Sequence, residues 1–351
     1  MNTSIKKLEK SEVEITGTLP WADFEKYEEK ALSTISERLE LPGFRKGKAP
    51  GSVVKENVTD MMILEEMAEQ ALYTLYPQII EEHKLDAIGR PQIGITKIAR
   101  GTDLEFKIIT ATLPEMTLPD YKAIAKTHTS DEQFKKEVAI DEADVEKTIQ
   151  ELRKMRAHQA MPAHEHQDGE EAHPELTEEQ LPALDDAFAK SFGEFENVEA
   201  FKEKIRQNLR TEKETEQKDK LRLAIVEELL EKSTGDLPEI LVQSEIDKIL
   251  YRLQADITQM GFKFDDYLIQ IKKTEEELRN EMRPDAEKRA KLQMIIHTIS
   301  DKEKIKPTEE ELEKEVNNIL TAYKDADPVR ARAYVENMLE NEKVFQFLEN
   351  Q

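Results

Sequence analysis

Apolar and polar positions change rhythm along this 351-residue chain, and the changes divide it. Within residues 12–16, Val13 and Ile15 alternate with polar neighbours, the period of a half-buried strand. Residues 23–41 are rich in helix formers until Pro42 and Gly43 stop them. Over residues 61–85, Ile63, Leu64, Met67, Leu72, Leu75, Ile79 and Ile80 fall at helical spacing. Strand patterns return at 93–98 and 104–113, and Arg100-Gly101-Thr102-Asp103 between them supplies the glycine of a hairpin connection. Residues 1–118 thus predict a small antiparallel sheet with helices.

Residues 119–138 read as an extended connector, after which Asp141 caps a helix predicted to run to about residue 156. The next 26 residues, 157–182, hold three prolines and a glycine with little apolar periodicity, which predicts a flexible linker. From Leu184 onward the pattern is helical almost throughout. Thr274-Glu275-Glu276-Glu277 and Thr308-Glu309-Glu310-Glu311 are capping boxes, and Asp327-Pro328 is a cap followed by proline at the first helical position. Pro238 opens an amphipathic stripe of Ile240, Leu241, Ile246, Leu250, Leu253 and Ile257, which Gly261 closes. No repeat of 20–50 residues is visible. The sum is an α+β chain: a small N-terminal domain (1–118), a connector and linker helix (119–156), a linker (157–182) and an elongated helical body with arms (183–351).

Composition refines this outline. Hydrophobic residues make up 38% and charged residues 36%, a balance that suits long, thinly packed helices. With no cysteine there is no disulfide framework, thiolate metal site or cysteine nucleophile. The opening MNTSIKKLEKSEVEI has no apolar signal core, and no run of about 18 apolar residues follows, so a soluble cytoplasmic protein without a membrane partner is expected. The net charge is −24, yet residues 1–50 hold nine basic and nine acidic residues. The whole acidic surplus therefore lies in residues 51–351, and only the N-terminal end is free to approach a polyanion.

Within that end, Gly43-Phe44-Arg45-Lys46-Gly47-Lys48-Ala49-Pro50 gathers an aromatic and three cations. The glycines tolerate positive φ and Pro50 stiffens the exit. Cations neutralise phosphates, and an aromatic ring stacks on a base or fills an apolar pocket. The plain alternative is a helix–helix loop with Phe44 tucked into the local core. This octapeptide, after a strand and helix and before a long helix, closely resembles the ribosome-docking loop of bacterial trigger factors. The likeness continues through Asp141-Glu142-Ala143-Asp144-Val145, through residues 181–193 and through Leu237-Pro238 to Asp247, so it spans nearly the whole chain.

The resemblance implies an ATP-independent chaperone, with no cofactor, that docks near the exit tunnel of the large ribosomal subunit and holds nascent or unfolded polypeptides. It assigns Gly43, Phe44, Arg45, Lys46, Gly47, Lys48 and Pro50 to ribosome contact, and it implies a homodimer off the ribosome. One departure limits it. The family carries a prolyl isomerase domain of FKBP type between the linker helix and the resumed body, and here residues 157–182 stand in that place. A β-rich domain needs more than about 40 residues, so the isomerase domain is expected to be absent and the chain not to be an enzyme. A ribosome-independent holdase and a residual isomerase are the competing readings.

Other groups carry less chemistry. His158, His164, His166 and His173 cluster beside acidic residues in the linker, but metal sites need rigid geometry, and a solvated linker with no metal is the expectation. Asp185-Asp186 is better explained by helix capping than by acid–base work, and no catalytic constellation is present. Met260, Phe262, Phe264, Tyr267, Leu268 and Ile271, with Phe345 and Phe347, are candidate client contacts, since adaptable side chains suit promiscuous recognition. Packing between helices is their alternative.

Overall fold

The computed structural model describes residues 1–40, 44, 45, 47, 49–135, 138–160 and 181–351. The chain divides into two compact units, one of Met1–Pro119 with Leu230–Asn341, the other of Asp120–Leu229 with Glu342–Gln351.

In the first unit, β1 (Asn2–Lys7), β2 (Glu12–Leu19), β3 (Ala87–Lys97) and β4 (Leu104–Thr112) form an antiparallel sheet in the order β1-β2-β4-β3. Val13, Ile15 and Leu19 of β2 and Leu104, Phe106 and Ile108 of β4 point to one face and are buried. Helix α4 (Asp60–Glu82) lays Ile63, Leu64, Met67, Ala71, Leu72 and Ile79 on that face, joined by Ala31, Leu32 and Ile35 of α2 (Glu28–Arg38). Gly17 stands opposite Phe106 in the β2–β4 register, and its missing side chain is the space the Phe106 ring fills. Tyr76 of α4 ties the two layers by a 2.8 Å hydrogen bond to Thr110.

The helix expected over 23–41 is in pieces: α1 (Trp21–Phe24), a 3₁₀ turn (Glu25–Tyr27) and α2, with α3 (Gly51–Asn57) following the loop. The break follows Phe24, which is fully buried in the sheet core. Strand β1 lacks a sequence signal because only Ile5 packs on the core, and pairing with β2 holds the rest.

The same unit carries α10 (Glu239–Gln259), α11 (Phe264–Ile271), α12 (Glu275–Glu303) and α13 (Glu309–Ala322). Val242 and Ile246 of α10 pack against Ala286 of α12. Both capping boxes form: Thr274 accepts from the Glu277 amide while Glu277 accepts from the Thr274 amide, and Thr308 and Glu311 repeat this.

In the second unit the region expected to be extended is helical instead, as α5 (Tyr121–Thr129) and α6 (Glu132–Lys135). The signal was local. Asp120 accepts from the Ala123 amide at 3.0 Å, and Ile124 and Ala125 are buried, so a cap and two apolar neighbours suffice. Helices α7 (Glu142–Ala160), α8 (Asp186–Lys190) and α9 (Val198–Lys232) share a core of Val145, Ile149, Phe188, Phe201 and Ile205. Asp185 and Asp186 are caps, as their spacing predicts: Asp185 accepts from the Phe188 amide and Asp186 from the Val198 amide that opens α9. The last helix, α14 (Pro328–Glu349), belongs to the first unit through Asn341 and to the second from Glu342; it starts on Asp327, which accepts from the Arg330 amide.

Candidate functional site

The basic loop leaves the C-terminal turn of α2 and enters α3. A helix end leaves carbonyls without intrahelical partners, and the loop supplies one donor: the Gly47 amide gives a 3.0 Å hydrogen bond to the Ser36 carbonyl. Gly47 makes that return with φ of +76°, a conformation glycine adopts without cost. Pro50 is the N-cap of α3 with φ of −61°, within the range its ring permits. Just ahead of these anchors Phe44 is 42% exposed and Arg45 is exposed. The alternative of Phe44 in the local core is therefore not what the fold adopts. Gly43, Lys46 and Lys48 lie outside the described residues.

Charge pairs that sequence reasoning missed brace the base of this region. Arg100, in the β3–β4 turn, bonds Asp60 at 2.7 Å and Glu28 at 2.9 Å, and Lys55 of α3 reaches Glu28 at 3.0 Å. Burial pushes the Glu28 carboxyl up, but Arg100 and Lys55 together hold it below its ordinary value. Arg100 likewise holds Asp60 down, and the two carboxylates raise the guanidinium. The start of α2, α3, the start of α4 and the hairpin tip are thereby clamped through long-range pairs with no fixed sequence spacing.

The candidate client residues fall into two settings. Met260 and Phe262 are 72% and 63% exposed between α10 and α11, while Phe264, Tyr267, Leu268 and Ile271 are half-buried on α11, Phe264 stacked on Tyr267. In the other unit Phe345 and Phe347 are half-buried, with the Arg222 guanidinium 5.1 Å from the Phe345 ring centre and Lys122 5.4 Å from that of Phe347. Sequence reasoning missed an apolar groove of about 550 Å³ between α13 and α14, lined by Ile319, Tyr323, Tyr334 and Met338. Its signal was present, as Tyr323 and Tyr334 fall at helical spacing from the buried Leu312 and Ala331 yet stay exposed.

Among the described residues no group of His, Asp and Glu has the geometry of a metal site. His158 lies in α7, and His164, His166 and His173 lie outside the described residues. No helix among the described residues is long and apolar enough to cross a membrane. The helix expected to end near residue 156 continues as α7 to Ala160, so the linker expected over 157–182 starts out helical, and residues 161–180 lie outside the described residues. Arg153 Nε donates to the Pro182 carbonyl at 2.8 Å, and the Arg156 guanidinium sits over the Phe192 ring.

Two family models match the sequence, "Bacterial trigger factor protein (TF)" over residues 1–152 and "Bacterial trigger factor protein (TF) C-terminus" over residues 197–351. The trigger factor of Caldanaerobacter subterraneus subsp. tengcongensis is 27% identical over 397 aligned residues, covering 92% of this chain and 90% of the relative. That of Clostridium botulinum strain Hall is 25% identical over 422, covering 99% and 98%. Both alignments are longer than this 351-residue chain, so the relatives hold residues with no counterpart here. A solved structure described as "Promiscuous Substrate Recognition in Folding and Assembly Activities of the Trigger Factor Chaperone" shares the fold, with a TM-score of 0.56 at 19% identity over 100% of both chains.

Proposed function

Because the chain belongs to the bacterial trigger factor family, a family of chaperones, we propose that it docks on the large ribosomal subunit through Gly43-Phe44-Arg45-Lys46-Gly47-Lys48-Ala49-Pro50 and holds emerging polypeptide without ATP. The observation that carries this reading is the exposed Phe44–Arg45 pair on a loop pinned by the Gly47–Ser36 hydrogen bond. A residue held before binding, as Gly47 is by that bond, adds less ordering cost when a partner docks. The ring suits a base or an apolar pocket, and the cations suit phosphates. Elsewhere the acidic surplus opposes an extended nucleic-acid footprint, which leaves the loop as the favoured contact.

Holding would be passive. Met260 and Phe262, together with the Tyr323–Tyr334 groove, offer separated apolar surfaces, and weak distributed contacts delay collapse and aggregation of a bound chain. We further infer that the protein holds chains without isomerising prolyl bonds, in the cytoplasm. The shortness of residues 157–182, too few for a β-rich domain, and the longer aligned length of the relatives support the absence of isomerisation.

Cosedimentation with ribosomes tests the docking. The parent protein is expected in the ribosomal pellet, and the triple change Phe44→Ala, Arg45→Ala, Lys46→Ala in the supernatant. Equal pelleting of the two refutes the assignment. A parent that suppresses aggregation yet never pellets would be a ribosome-independent holdase. Turnover of a proline-containing peptide well above background would restore the isomerase.

A further inference from the structure

Residues 233–240, which lead from α9 into α10, lie against the β1–β2 turn, residues 116–117 after β4, and β3, all within one compact unit. Thr234 exchanges both backbone hydrogen bonds with Thr117, at 2.8 and 3.0 Å, so the segment pairs like one rung of a sheet. At the β1–β2 turn, Ser11 donates to the Asp236 carbonyl at 2.7 Å and Lys10 reaches Glu239 at 3.3 Å. That turn holds Lys10 and Ser11 at φ of +55° and +53°, the positive-φ pair that a tight hairpin turn uses, and it presents both side chains to the segment. Glu239 also accepts from Gln243 and from Arg283, and Gln243 first, with Lys10 and Arg283, keeps its carboxyl below the ordinary range against the effect of burial.

Packing at this contact is reciprocal. A Cβ on Gly235 would overlap the Met116 sulfur, which lies directly on the glycine, so the sheet side inserts a side chain into a gap in the segment. A Cβ on Gly89 of β3 would overlap Ile240 Cδ1, so the helical side inserts a side chain into a gap in the sheet. Each glycine is a socket for a residue of the opposite partner. Two sockets facing opposite ways resist sliding and rotation together, which a single hydrogen-bonded rung does not.

We propose that this reciprocal glycine lock makes the N-terminal sheet and helix α10, whose C-cap is Met260, one rigid body. Capture of the loop at one end then sets where Met260 and Phe262 point at the other. The lock stands on packing alone, while its use in aiming the apolar residues rests on the docking and holding reading given above. The test needs no ribosome, so its failure is separate from failure of docking.

The chain has no cysteine, so Tyr73→Cys in α4 and Tyr251→Cys in α10, both highly exposed, accept one nitroxide label each. Pulsed dipolar spectroscopy of the full chain is expected to show one narrow distance peak. Gly235→Val should cost that peak its narrowness, because the valine cannot coexist with Met116, while helical circular dichroism is retained. Adding Met116→Ala frees the space and should restore the peak, a rescue that general destabilisation does not produce. Ile240→Ala, which removes the opposite insert without overpacking, should broaden the distribution by itself. A broad distribution in the labelled parent, or a narrow one unchanged in both Gly235→Val and Ile240→Ala, overturns the lock.

Discussion

Replacing Arg222 by alanine should release the C-terminal end of the chain, and the size of the effect can be worked from its surroundings. The guanidinium grips Glu342 bidentately, with both N–O distances at 2.8 Å, bonds Glu349 through Nε and lies over the Phe345 ring. Its side chain is only 21% exposed and that of Glu349 only 14%, whereas Glu342, at 41%, is screened by solvent and adds less. Exposed pairs contribute about 0.5 kcal/mol, whereas breaking a fully buried pair costs about 3–5 kcal/mol. Lys218 remains 3.4 Å from Glu349 and softens the loss, so roughly 2 kcal/mol is expected. The chain has two units and need not unfold in one step, so the assay is amide hydrogen exchange at Val344 and Leu348, both buried on α14. A 2 kcal/mol loss accelerates their exchange by about 30-fold. Lys220→Ala, whose pair with Glu216 is exposed, should change it less than about threefold. Arg222 holds the Glu342 carboxyl below its ordinary value of 4.5 despite burial. A carboxyl depressed on folding contributes stability above its unfolded pKa and loses that contribution as pH falls through its folded pKa. The penalty of Arg222→Ala should therefore stand in full at neutral pH and shrink progressively below about 4.5. A penalty under about 0.5 kcal/mol, or one unchanged down to strongly acid pH, would refute the reasoning.

Other expectations follow from the same kind of reading. Gly17→Ala places a methyl group into the Phe106 ring, which is fully buried and has nowhere to move, so a loss of about 3 kcal/mol in urea unfolding of the sheet is expected. Thr308→Ala removes half of a capping box and should cost about 1 kcal/mol, seen as faster exchange in the first turn of α13. If Arg45, Lys46 and Lys48 each neutralise one phosphate, ribosome affinity should fall with salt at a log–log slope of roughly −2 to −3, and Arg45→Ala should lower the slope by about one contact. A slope that Arg45→Ala leaves unaltered would place the electrostatic contact elsewhere.

Much of the fold was legible because its signals are short-range. Capping boxes, Asp327-Pro328 and the aspartates at 185 and 186 act within one helical turn, so residue type and spacing predict their geometry. The β2 and β4 strands were legible because one face is buried, which enforces alternation. Strand β1 was not, since it is an edge whose order comes from pairing with β2. The α5–α6 region was missed because a proline and scattered polar residues masked a cap and a two-residue apolar contact. At the loop, the residue types announced a contact surface. The sequence left open whether Phe44 faced solvent or core.

What the amino-acid order determined by itself is the list of elements, the acidic body with a neutral end, and a loop whose composition fits a phosphate-rich partner. These follow from propensities and charges that each residue carries wherever it is placed. What the tertiary structure decided is which apolar residues are covered. Met260 and Phe262 stay open, whereas Phe345 and Phe347 sit beneath Arg222 and Lys122, although all four read alike in the sequence. It also decided that Gly89 and Gly235, unremarkable along the chain, are sockets for Ile240 and Met116. Burial and close packing are properties of residues brought together from distant positions, and no local pattern encodes them.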